Sequence, residues 1–156
     1  MMKKLAPLVF GCVLMTGCAT TPNVENVGTV GLLICAPNEL CPIVTVSWNE
    51  SHKDLLKLKM SLNSTKTQYD IQKVIFENGN QSYLFSPVGK TEQDFVLGNY
   101  RSRNSIITPI NLMNNLRGSD WILMNIHTDK GVISRYVYKD GQEALIYKEF
   151  KSVYNK

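Results

Sequence analysis

Leu56-Lys57-Leu58-Lys59-Met60-Ser61-Leu62 alternates apolar and polar residues without a break, and its reading decides the fold. Successive side chains of a strand point to opposite faces, so the four apolar residues share one face and Lys57, Lys59 and Ser61 the other. A helix would scatter the same residues around its circumference. The stretch reads as a strand buried on one side, and such a strand needs a second layer over its apolar face.

Toward the N-terminus, Val30 to Ile34 and Pro42 to Trp48 are short, β-branched runs, and Asn49 to His52 is a turn leading into the alternating strand. Toward the C-terminus, Thr67–Glu77 and Gln81–Ser86 form a hairpin through Asn78-Gly79, residue types that accept positive φ. Phe95-Val96-Leu97 and Ser105-Ile106-Ile107 are further short strands around a polar loop, Gly98 to Asn104. Thr108-Pro109 predicts a helix start, with Leu112, Met113 and Leu116 on its buried face and Gly118 ending it. Trp121–Thr128 and Val132–Lys139 form a hairpin about a three-residue loop, Asp129-Lys130-Gly131. The pairing then sets Asn125 opposite Arg135 and His127 opposite Ile133. Asp140 to Glu143 resembles a capping box, opening a helix with Ile146, Phe150, Val153 and Tyr154 at helical spacing. The fold class expected is α+β and β-rich: an antiparallel sandwich or partly rolled sheet with a central short helix and a C-terminal amphipathic helix. This element order is similar to that of small envelope β-sandwich proteins, among them invasion-associated-locus-B-like domains. No diagnostic motif of that family is present, and none of its residues is carried over.

The chain of 156 residues has 44% hydrophobic and 19% charged residues, with only 10 Gly and 6 Pro, which excludes collagen-like and disordered classes. One apolar run, Leu5 to Met15, exceeds strand length, and it is shorter than the roughly 20 helical residues that cross a bilayer. With Lys3 and Lys4 ahead of it, the run has the form of an export signal. Met15-Thr16-Gly17-Cys18 after it resembles the lipobox of bacterial prolipoproteins. The resemblance implies a cleaved signal peptide over 1–17, diacylglycerol on the Cys18 thiol and acylation of the new amine. Residues 18–29, poor in charge and rich in Thr and Asn, then form the lipidated N-terminus and tether, and 30–156 form one domain. A single acyl chain binds a membrane marginally, whereas two or three hold durably. Ala19, where an Asp would resemble an inner-membrane retention signal, points to the outer membrane.

Cys12 leaves with the signal and Cys18 carries lipid, so Cys35 and Cys41 are the thiols left to pair in an oxidising compartment. The 17 basic and 13 acidic residues give +4, and removal of Lys3 and Lys4 halves that excess. No block of like charge reads as a nucleic-acid footprint.

Neither His52 nor His127 lies in a metal-ligand spacing, and the chain lacks the GxSxG and SxxK nucleophile motifs and a glycine-rich phosphate loop. No enzyme activity, metal or cofactor is expected. Two sets of residues suit binding: Tyr100, Arg101 and Arg103 in the polar loop, and Asn125, His127 and Arg135 on the last hairpin. The function expected is a lipid-anchored, non-enzymatic binding or assembly module at the outer membrane, with an envelope or host protein as partner. The alternative is an inhibitor of a host hydrolase, resembling the small lipoprotein inhibitors of lysozyme. The loop from Gly98 to Arg103 would protrude for that role, although it lacks their Ser-Gly-x-x-Tyr pattern. A hydrolase whose carboxylates are gathered by the fold is a third reading.

Overall fold

The structure is a computed structural model and describes residues 25–154, with residues 25–30 and 154 followed through the backbone alone. The lipobox, Cys18 and residues 19–24 lie outside the described residues. Among the described residues ten strands build two antiparallel five-stranded sheets. The first contains β1 (Glu25–Leu32), β2 (Ile43–Asn49), β3 (His52–Ser64), β6 (Glu92–Val96) and β7 (Asn99–Pro109), in the order β1-β2-β3-β7-β6. The second contains β4 (Ile71–Glu77), β5 (Ser82–Phe85), β8 (Trp121–Thr128), β9 (Gly131–Lys139) and β10 (Gln142–Glu143), in the order β10-β9-β8-β4-β5. Helices α1 (Leu112–Asn115) and α2 (Leu145–Tyr154) complete the expected β-rich α+β fold. β1 begins inside the segment read from sequence as tether.

Leu56, Leu58, Met60 and Leu62 of β3 are fully buried, as their alternation requires. They meet Val74 and Phe76 of β4 and Ile122, Met124 and Ile126 of β8 in one core. Burying each such side chain contributes roughly 1.5–3 kcal/mol. α2 adds Ile146, Phe150 and Val153 to this core and touches β1 and β2 of one sheet and β9 of the other. Gly31 permits that approach: a Cβ there would lie 2.8 Å from Leu145 Cβ.

The polar run 98–104 is not a loop. Only Leu97-Gly98 turns, and Asn99 onward belongs to an 11-residue strand. The chain crosses between the sheets twice beside this strand, and its inward polar residues hold the crossings. Ser102 Oγ accepts the Tyr69 N–H at 2.9 Å, and Asn104 donates to Thr91 Oγ1 at 3.3 Å. A buried backbone group needs a partner, so polarity is required here inside a strand.

Thr108-Pro109 likewise ends β7 instead of opening a helix, with Pro109 opposite Leu55. Proline's missing N–H is tolerated at a strand end. The helix is one turn, preceded by Asn111, and buries Leu112 and Met113, with Leu116 just beyond. Asp140 does not cap α2. Asp140 and Gly141, at φ 48° and 86°, form the two-residue turn from β9 to β10, and the helix begins at Leu145.

Candidate functional site

Cys35 and Cys41 are bonded, with Cα atoms 5.9 Å apart, and clip the antiparallel pair β1–β2 where Leu32 faces Ile43. The clipped loop reaches the second sheet: Ile34 N–H donates to Tyr136 O at 2.9 Å, and Arg135 Nε donates to Leu40 O at 3.0 Å.

That contact corrects the expected pairing of the last hairpin. Thr128 faces Gly131 across a two-residue turn, so Asn125 lies opposite Ser134, His127 opposite Val132, and Arg135 opposite Met124. A register shift at Ile122/Leu123 then brings Trp121 opposite Lys139 and Ile122 opposite Tyr138. A slip of one residue moves a side chain to the other face. Arg135 accordingly shares the inward phase of β9, reaches the disulfide loop and pairs with Glu39 at 3.4 Å. Asn125, buried, donates to Glu77 Oε1 and accepts from Ser134 Oγ. His127 is half-buried between Lys73 and Val132. The three residues do not form one patch.

Tyr100, Arg101 and Arg103 also separate, because a strand alternates. The Tyr100 ring packs on Phe95, centroids 4.9 Å apart, while both arginines point to the outer face of the first sheet. There Arg101 grips Asp94 with two bonds of 2.9 and 2.6 Å, and Arg103 reaches Asp94 at 3.2 Å and Glu92 at 3.4 Å. The hydrogen bond from Arg101 holds the Asp94 carboxyl below its ordinary range against partial desolvation, and Asp94 raises Arg101 in turn. These forks are occupied by carboxylates of the same chain.

The lysines of β3 were read from sequence only as its polar face. Lys57 and Lys59 stand on the outer face, Lys57 beside Ser47 and Ile107, Lys59 beside Thr45 and Ser105. Lys90 joins them from the crossing 86–91, which is pinned to β7 by a 2.7 Å bond from Val88 N–H to Ser105 O. Together with Arg103 they line a groove of about 320 Å³, whose one carboxylate is Glu92. Among the described residues neither Lys59 nor Lys90 has an ion-pair partner.

No protein-family model, no curated protein and no solved structure matches the chain.

Lys57 also lines a second cavity of about 300 Å³ at the β2–β3 turn, walled by Trp48, His52, Leu55 and Ile107. Leu55 and Ile107 are 37% and 42% exposed, in the same outward phase as the lysines. The signal for this site was the Lys-x-Lys phase of the alternating strand. Its use required knowing which hydroxyl-bearing strands lie beside β3. Among the described residues no group of three or more His, Cys, Asp or Glu side chains could hold a metal ion, and no helix is long and apolar enough to cross a membrane.

Proposed function

We propose that this chain is a bacterial envelope lipoprotein, anchored at the outer membrane by acyl chains on Cys18, whose sandwich is a non-enzymatic binding module. The bonded pair Cys35–Cys41 carries the reading, because such bridges form in the oxidising compartments that an export signal leads to. The lysine-lined outer face of the first sheet is the binding surface of the module. Residues 19–24 separate the anchor from β1, and the seven steps from Cys18 to Glu25 reach at most about 25 Å. The end of the sheet at Glu25, the β2–β3 turn and Pro109 thus stays near the bilayer, and the β6–β7 turn points away from it. Radiolabelled palmitate is incorporated by the wild-type chain, and Cys18→Ala abolishes labelling and membrane fractionation. Unchanged fractionation would overturn the anchor.

The inhibitor reading is favoured by that distal turn. Leu97 is 95% exposed at φ 50°, a conformation costly for a leucine, and Phe95 beside it is 61% exposed. Strain held at an exposed apolar tip suits insertion into a partner's cleft. Lysozyme assayed with the purified chain tests it: inhibition lost in Leu97→Asp supports the reading, and no inhibition by the wild type removes it. For the hydrolase reading, the fold brings Glu92 and Asp94 together, but a glycosidase acid needs a raised pKa and Asp94 is held low.

A further inference from the structure

We propose that the outer face of the first sheet binds a phosphorylated lipid, its phosphate on Lys59 and Lys90 and its tail against Leu55 and Ile107. This gives a ligand class to the binding role proposed above, and it does not depend on the Cys18 anchor.

Three observations converge. The first is uncompensated charge: Lys59 and Lys90 line one groove without ion-pair partners among the described residues, and like charges brought together oppose folding. The second is the kind of donor. The Arg101 fork, which reads carboxylates, is taken by Asp94, and Arg103 is paired with Glu92 and Asp94, so the ammonium groups of Lys59 and Lys90 remain, with the Thr45 and Ser105 hydroxyls on either side of Lys59. Point charges with neighbouring hydroxyls suit a tetrahedral anion of several oxygens, and a phosphomonoester carries about −1.5 to −2 at neutral pH. The third is order along the face. Outward positions of β3 run Leu55, Lys57, Lys59, and those of β7 alongside run Ile107, Ser105, Arg103. Alternate strand residues lie about 7 Å apart, so the surface passes from apolar to cationic within about 14 Å. Lys57 lines both the apolar cavity and the cationic groove, so the two adjoin on one face. A free anion would leave the apolar cavity unused, and an uncharged lipid would leave the lysines unused.

The test is calorimetric titration of the full chain in nonionic detergent with dihexanoyl phosphatidic acid below its micelle concentration. Dihexanoyl phosphatidylcholine and inorganic phosphate serve as neutral-head and tail-less probes. Saturable binding of the phosphatidic acid is expected, about tenfold or more tighter than either probe. The double variant K59Q/K90Q loses about tenfold or more, L55S/I107S falls to the level of inorganic phosphate, and K66Q/K148Q, which removes two exposed cations elsewhere, keeps wild-type affinity. Thermal melting of each variant establishes that it is folded. The proposal is overturned by phosphatidylcholine binding as tightly as phosphatidic acid, or by unchanged affinity in folded K59Q/K90Q. An equal loss in K66Q/K148Q would reduce the effect to bulk charge, and inorganic phosphate matching phosphatidic acid would remove the lipid. A bare thiol at Cys18 by mass spectrometry would overturn the anchor and leave this titration standing.

Discussion

Replacing both bridge cysteines in C35S/C41S should destabilise the domain without altering its native spectrum. The bridge joins residues 6 apart, and the chain-entropy relation gives about 2.4 kcal/mol for a loop that short. The effect resides in the unfolded chain, which gains freedom when the link is cut. In the native state Arg135 still holds Leu40 O and Glu39, and Glu39 Oε2 still accepts the Ala36 N–H at 2.9 Å, so the loop keeps its shape. For a domain of this length the loss corresponds to a fall of roughly 8 °C in Tm. Urea unfolding followed by tryptophan fluorescence measures it, and wild type in dithiothreitol should coincide with the variant. A loss below about 0.5 kcal/mol, or a changed slope against urea, would refute the assignment of the effect to chain entropy.

Asn78→Ala removes a buried amide that accepts from Asn80 and Gln81 and donates to Leu116 O, tying the β4–β5 turn to α1. It should cost about 2–3 kcal/mol in urea unfolding. Thr108→Val should do the reverse: the Thr108 hydroxyl is buried without a partner among the described residues, and an isosteric methyl should raise stability by about 1 kcal/mol. Gly31→Ala drives a Cβ against Leu145 and should lower stability by about 1–3 kcal/mol in thermal melts, and Leu145→Ala in the same chain, which keeps the Cβ of the closest contact, should restore only part of it. Asp94 has a lowered pKa in the folded state, so its stabilisation is present above 3.8 and is lost as pH falls through the lower folded value. An acid titration of stability should therefore lose part of its slope below that pH in Asp94→Asn.

The layers of the fold were legible wherever burial alone dictated the pattern. The β3 alternation, the inward triplet Ile122, Met124, Ile126 and the helical spacing of Ile146, Phe150 and Val153 all lie in the core as their periods require. The cysteine pair was legible because elimination left one pairing. Local rules failed where a distant segment supplied the partner. Ser102 and Asn104 are polar because the crossings beside β7 need acceptors and donors, which sequence spacing cannot reveal. The last hairpin was displaced by one residue near its turn because a two-residue connection and a compensating shift fit the same residues as a three-residue loop. The arginines were legible as anion readers, but their carboxylates, Glu92 and Asp94, sit on the adjoining strand and could be assigned only with the ladder in view.

The interleaving of the two sheets has a consequence for biogenesis. Positions 55 and 109 are neighbours across the centre of the first sheet, and the whole of β4 and β5, which belong to the second, lies between them in the chain. No N-terminal portion ending before β7 owns a complete layer, so early folding during synthesis gains little. Pairing at such long sequence separation is slow because loop closure precedes any reward. If the chain is exported unfolded, as proposed above, this topology delays the meeting of its strands until the far side has been reached.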